Sequence, residues 1–288
     1  MREFIISTDS TADLPDDYIN AHNLTIHPLY YAFGSDEVYG EEKKLSPSEF
    51  YARMRKGEMP NTMASNPDFV QKAFQKAVDD GFDVLHLSFS SALSSSYNTA
   101  AVAAREICEE NPGARIVVID SLCASLGQGL FVHKAIMMKE AGKSMDEIID
   151  WLQENRPYFC HEFTVDDLFN LHRGGRVSKA TAIIGTLINV KPVLHVDDEG
   201  RLMPVENVRG RKKSLIALVD HMEEKIGDFK NDIVFISHGD CLEDAEFVKD
   251  LVTKRFGITN FLINYVSPTV GAHSGPGTVA LFYMGTHR

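Results

Sequence analysis

A run of hydroxyl side chains, Ser88-Phe89-Ser90-Ser91-Ala92-Leu93-Ser94-Ser95-Ser96-Tyr97-Asn98-Thr99, stands out in the chain. Before it, Phe82-Asp83-Val84-Leu85-His86-Leu87 is a short apolar run with a β-branched member, which reads as a buried strand. After it, residues 100–109 place apolar side chains at helical spacing. The serines therefore fall where a strand ends and a helix begins. Free backbone N–H groups and the positive end of the helix dipole favour an anion there. Hydroxyls suit a carboxylate or phosphate, because each donates one bond without fixing a positive charge in the site. Ser94, Ser95 and Ser96 are equally good N-cap residues, so the stretch alone does not separate an anion site from a well-capped helix.

Other residues of the same chemical kind lie elsewhere. Ser65 precedes Asn66-Pro67, a cap and a first helical residue for a helix carrying Phe69, Val70, Ala73, Phe74, Ala77 and Val78. It is thus a second hydroxyl at a helix entrance. Thr8-Asp9-Ser10-Thr11 follows the strand-like Phe4-Ile5-Ile6-Ser7 as a polar loop, at the strand end that faces a ligand crevice in a parallel α/β sheet. His273 lies among Gly271, Gly275, Pro276 and Gly277, a backbone suited to close approach rather than to a regular helix. Arg173-Gly174-Gly175-Arg176 and Arg209-Gly210-Arg211-Lys212-Lys213 concentrate positive charge in an acidic chain, as solvated surface or as a docking face.

The elements that must position these groups alternate at first. Ser46-Pro47-Ser48-Glu49 and Ser144-Met145-Asp146-Glu147 are capping boxes, Arg115 to Ile119 is a strand ending at Asp120-Ser121, and a helix spans about 125–141. This order implies a mostly parallel sheet with helices on both faces. Beyond Pro157 a strand (158–165), a short helix ended by Gly174-Gly175, and a hairpin through Asp197-Asp198-Glu199-Gly200 follow. Helix from about 211, strand 233–237, helix after Asp240, strand 261–266 and strand 278–284 complete the chain. The expectation is an α/β protein of two domains, with a ligand between them. Residues 1–157 form an α/β/α domain with a mostly parallel sheet, and 158–288 an α+β domain with a mixed sheet.

The totals narrow the function. The chain has 288 residues, 44% hydrophobic and 24% charged, as in soluble globular proteins. A formal charge of −12 argues against a surface built to bind nucleic acid. Cys108, Cys123, Cys160 and Cys241 are scattered, without metal-ligand or redox spacing, which suits reduced thiols. No signal peptide or apolar run of about 20 residues is seen, so a cytoplasmic chain without stable membrane insertion is expected.

Taken together, several segments resemble one family. Ser7-Thr8-Asp9-Ser10-Thr11-Ala12-Asp13-Leu14-Pro15, Ser90-Ser91-Ala92-Leu93-Ser94 with Tyr97, and Ile119-Asp120-Ser121 are similar to the DegV family. So are Asp167-Leu168, Arg173-Gly174-Gly175-Arg176-Val177-Ser178, Lys191-Pro192-Val193-Leu194, Asp198-Glu199-Gly200, Val208-Arg209-Gly210 and Gly271-Ala272-His273-Ser274-Gly275-Pro276-Gly277. Each piece is weak alone, but together they cover nearly the whole chain in order. The resemblance implies a protein that binds a long-chain fatty acid between two α/β domains. It implies no cofactor and no chemistry of its own, and a separate ATP-using kinase subunit that receives the carboxylate and makes an acyl phosphate for phospholipid synthesis.

Residue by residue, the resemblance carries carboxylate contacts to Ser94 and His273. Ala64 stands where the family has a threonine, which leaves Ser65 or Thr62 as the substitute hydroxyl, and Ser95-Ser96 replace Gly-Thr. Ser121 is a further pocket candidate, and Arg176 and Arg209 are candidates to face a partner. A histidine beside a bound carboxylate is expected to have a raised pKa, so binding would weaken as the imidazole deprotonates. The rival is a serine hydrolase with Ser94 as nucleophile, His273 as base and Asp120 as orienter. No Gly-x-Ser-x-Gly elbow surrounds Ser94, however. Phosphate-binding glycine loops and a His-Glu-x-x-His pattern are likewise missing, which disfavours a nucleotide binder and metal chemistry.

Overall fold

The computed structural model describes residues 2–34, 37–40, 42–178 and 189–288. The first sheet has the order β2-β1-β6-β7 and is parallel throughout: β1 is Phe4–Asp9, β2 Thr25–His27, β6 Asp83–Ser88 and β7 Ile116–Asp120. A small antiparallel sheet joins β3 (Tyr30–Phe33), β4 (Val38–Tyr39) and β5 (Pro60–Met63). The third sheet is mixed, in the order β10-β9-β8-β13-β11-β12. Its strands are β8 Phe159–Thr164, β9 Val190–Val196, β10 Leu202–Arg209, β11 Val234–His238, β12 Phe261–Tyr265 and β13 Val279–Met284. The expected parallel sheet, hairpin (β9-β10) and mixed sheet are all present, and the fold class is α/β.

The helices follow their caps. Helices α1 (Asp16–Ala21), α2 (Pro47–Arg55), α3 (Pro67–Asp79) and α4 (Ser96–Glu110) accompany the first sheets. Both capping boxes form, at Ser46–Glu49 and Ser144–Glu147, and Asn66 caps α3 with Pro67 at the first helical position. Helix α5 (Leu126–Glu140) buries residues on every side, as a helix shared by two sheets must. One continuous apolar core runs across it, from Ile6 and Leu87 of the parallel sheet to Phe163 and Phe282 of the mixed one. Helix α6 (Met145–Asn155) leads into β8, and α7 (Phe169–Arg173) is the short helix before the double glycine. Helices α8 (Arg211–Lys225) and α9 (Leu242–Phe256) cover the other face of the mixed sheet, around Val219, Val248 and Leu281.

Three expectations are corrected, and one group of strands carried no sequence signal. The first strand continues through Thr8 and Asp9, because Thr8 Oγ1 donates to the Leu87 carbonyl and Asp9 accepts from the Ser88 hydroxyl and Phe89 N–H. Helix α4 starts at Ser96, four residues before the apolar periodicity begins. Strands β2 to β5, of two to four residues, are too short to show a period of two. Finally, His273 lies on a regular helix, α10 (Pro268–Ser274), introduced by Ser267-Pro268. Gly271 fits inside it because the Tyr51 ring packs where a Cβ would stand, and the helix ends at Gly275, with φ +83°.

All four cysteines are free thiols. Among the described residues, no helix is long and apolar enough to cross a membrane, and no cluster of three or more His, Cys, Asp or Glu side chains could hold a metal ion.

Candidate functional site

A cavity of about 290 Å³ lies where the carboxyl ends of the parallel strands meet one face of the mixed sheet. Alternation along the strands makes its floor. His161 and Phe163 of β8 and Ala280 and Phe282 of β13 point into it, paired Phe163 with Ala280 and His161 with Phe282. Their neighbours Val279, Leu281 and Tyr283 point the other way, into the core beneath α8 and α9. Val270 of α10 packs over a cluster of Leu29, Phe89, Leu93 and Ala124, all of which also line the space. The wall is predominantly hydrophobic, as ligand pockets are.

Polar groups gather on one part of this wall: Thr62, Ser94, Ser95, Arg176 and His273. Thr62 and His273 are bonded directly, and Arg176 ties the backbone beside Ser94 to that beside the imidazole. Thr62 Oγ1 and His273 Nε2 are 2.8 Å apart. Gly174 packs so closely on the imidazole that a Cβ there would overlap Nδ1. Two residues on, Arg176 donates from Nε and Nη2 to the Leu93 carbonyl (3.2 and 2.9 Å), next to Ser94, and from Nη1 to the Gly174 carbonyl. Arg173 donates to the carbonyls of Pro60 and Ala272 at 3.0 and 3.1 Å, which ties β5 to α10. Ser94 Oγ lies 2.9 Å from Ser96 Oγ and accepts the Ser96 N–H at 3.2 Å. The first turn of α4 therefore opens on the cavity, with Ser94 already serving part of it.

Without a carboxylate beside it, the His273 imidazole is uncharged. Burial, and then the guanidinium groups of Arg176 and Arg173, push its pKa down to about 4. The ring is neutral at physiological pH, its Nδ1 is buried without a partner, and the positive charge of this region resides on the arginines.

The remaining sequence candidates fall in different places. Ser65 is buried but outside the cavity wall; its N–H donates to Ser96 Oγ at 3.2 Å, so it touches the polar group only through Ser96. Ser121 closes a turn, donating to the Ser88 carbonyl at 2.7 Å. Arg209 is exposed at the end of β10, opposite Val190. Arg176, read from sequence as partner-facing, lines the cavity. Gly174 and Arg173 had no sequence signal beyond the Gly-Gly pair between arginines. The serine-hydrolase constellation is not assembled: Asp120 Oδ1 accepts the N–H groups of Ser91 and Leu122, Ser94 is bonded to Ser96, and the hydroxyl on His273 is that of Thr62.

Comparison with known proteins places this arrangement. A profile described as an uncharacterised protein of the DegV family matches residues 3–286. A DegV domain-containing protein of Clostridium perfringens is 40% identical over 99% of this chain and 98% of its own. A DegV domain-containing protein of Lactococcus lactis, YteA, is 37% identical over 97% and 96%. Among solved structures, a fatty-acid-binding DegV family protein from Thermus thermophilus superposes with a TM-score of 0.87 at 28% identity, covering 99% of this chain and 100% of that one. A stearic-acid-binding protein from Eubacterium ventriosum gives a TM-score of 0.90 at 25% identity, covering 98% of both. The chain belongs to the DegV family.

Proposed function

We propose that this protein binds a long-chain fatty acid in the cavity and presents its carboxylate to a separate kinase subunit that uses ATP. The observation that carries this is one largely oily cavity on whose wall Thr62, Ser94, Arg176 and His273 gather as a polar group suited to a carboxylate. Solved relatives described as fatty-acid-binding support it.

Buried methylenes contribute about 0.8 kcal/mol each, so ~12 of them supply roughly 10 kcal/mol before the losses of association. Affinity thus comes from the tail. The head contributes orientation, through donors worth about 1.5–3 kcal/mol each when they meet a charged acceptor. With the imidazole proton on Nε2, His273 donates to Thr62 Oγ1, and the threonine hydrogen is free to reach the carboxylate. Thr62 then takes the place left by Ala64. Ser94 and the first turn of α4 approach the second oxygen, and Arg176 neutralises the charge.

Ser94 is bonded to Ser96 and His273 to Thr62 rather than to each other, which supports a carrier without chemistry of its own. Exposed Arg209 is the candidate contact for the kinase surface, and the ligand lies between two domains, residues 1–157 and 158–288. Native mass spectrometry of protein purified from cells, followed by lipid extraction, tests the binding: one free fatty acid per chain is expected, and recovery of a nucleotide or of nothing refutes it. Hydroxylamine trapping of an acyl phosphate, formed only when kinase, ATP and loaded carrier are mixed, tests the presentation.

A further inference from the structure

Besides Thr62 and Ser94, the cavity wall carries a second set of hydroxyls. Ser125, which precedes α5, has its Oγ on the Asp13 carboxyl and 2.8 Å from Ser237 Oγ of β11. Asp13, Ser125 and Ser237 are all buried, and both serines line the cavity. A serine hydroxyl has one hydrogen, so this chain is a relay with a fixed sense. When Asp13 is ionised, Ser125 donates to it, Ser237 donates to Ser125, and Ser237 shows only lone pairs to the cavity. When Asp13 is protonated the sense can reverse, and Ser237 then offers its hydrogen.

Ser274, in the last turn of α10, lines the same space, is only 7% exposed, and its Oγ has no partner. Thr11 and Thr278 of the same wall, by contrast, are satisfied, by Gln128 Oε1 at 2.9 Å and by the Gly275 carbonyl at 2.8 Å. A buried hydroxyl left unpaired against methylenes is costly, and such groups call for a partner. A saturated chain has none to give. A hydroxyl on the chain has both a hydrogen and lone pairs, so it matches Ser237 in either sense of the relay and accepts from Ser274.

We propose that Ser237 and Ser274 form a subsite for a hydroxyl group carried by the acyl chain, so that the cavity accepts hydroxylated long-chain fatty acids. This rests on the fatty-acid reading of the same cavity. The test is calorimetry with stearate and with monohydroxystearates that differ in hydroxyl position, on the wild type and on Ser237→Ala and Ser274→Ala.

At least one isomer is expected to bind the wild type as tightly as stearate or tighter. Its affinity relative to stearate should fall by about tenfold in both variants, the size of one lost hydrogen bond. The subsite is refuted if every isomer binds the wild type more weakly than stearate, a comparison that needs no variant to fold. It is also refuted if either variant, folded by thermal melting, leaves the ratio unchanged. A wild type that binds no stearate refutes the fatty-acid reading itself, so the two failures are distinguishable.

Discussion

Thr62 Oγ1 and His273 Nε2 meet at 2.8 Å, although 211 positions separate them in the chain. The contact joins a short edge strand of the small sheet to the last turn of α10, and it places a hydroxyl and a neutral imidazole on the cavity wall. Loss of either group removes a donor from the proposed carboxylate site. Thr62→Val and His273→Ala are each expected to lower stearate affinity by about tenfold to a hundredfold, with little change in melting temperature. Calorimetry that finds both variants binding like the wild type would remove the pair from the site.

The depressed pKa of His273, about 4, sets the pH response of the free protein. The imidazole is neutral from about pH 6 to pH 8, so raising the pH through that range removes no charge from it. The unliganded imidazole should therefore not titrate there, and a fall in stearate affinity with rising pH would have to come from the raised pKa that a bound carboxylate gives the ring. The check is histidine NMR: a His273 resonance titrating near 6.5 in the unliganded protein contradicts it.

Gly174 has φ −75°, a helical value that alanine also adopts, so its small size is not a backbone requirement. What a methyl group would strike is the imidazole of His273. Gly174→Ala should displace the ring, break its bond to Thr62 and weaken fatty-acid binding by about tenfold, on the scale of one hydrogen bond. Unimpaired binding by this variant would mean that the ring position is immaterial to the ligand.

Asp13 is buried, and burial raises its pKa to about 7 against the opposing bonds from Ser125 and Ser267. A carboxyl raised in the folded state holds its proton there more tightly than in the unfolded chain. Its contribution is fully present below about pH 3.8, declines as the pH rises towards about 7, and is then absent. Asp13→Asn keeps an acceptor for Ser125 without the charge. The difference in melting temperature between variant and wild type should grow in the variant's favour from pH 4 to pH 7. A difference that does not vary with pH would show that Asp13 does not titrate in this range.

If Ser94 were a nucleophile, an esterase probe would find it. With Ser94 held by Ser96 and no carboxylate on His273, a fluorophosphonate is expected to leave Ser94 unlabelled. Stoichiometric labelling together with ester turnover would restore the hydrolase reading.

Local chemistry was legible from the sequence wherever a few adjacent residues suffice to decide an element. Ser46–Glu49 and Ser144–Glu147 satisfy helix N–H groups within four residues, Asn66-Pro67 starts α3, and the alternating or apolar strands from β6 onward are long enough to show their period. The serine-rich turn at the head of α4 is of this kind, since strand end, turn and helix are contiguous. Membership of the DegV family was legible for a different reason: many short segments in order constrain more than any one of them.

Tertiary structure alone decided which of those groups face the same cavity. Ser65 and Thr62 are three residues apart, yet of the two only Thr62 lines it; Ser65 lies beyond the end of β5, buried where its backbone N–H meets Ser96 Oγ. Arg176 reads as surface charge, but its guanidinium is turned inward by the carbonyls of Leu93 and Gly174. Burial, which sets the pKa values of His273 and Asp13, and the unpartnered hydroxyl of Ser274 depend on neighbours scores of residues away. No local pattern encodes them, because desolvation and hydrogen-bond satisfaction are properties of the packed chain.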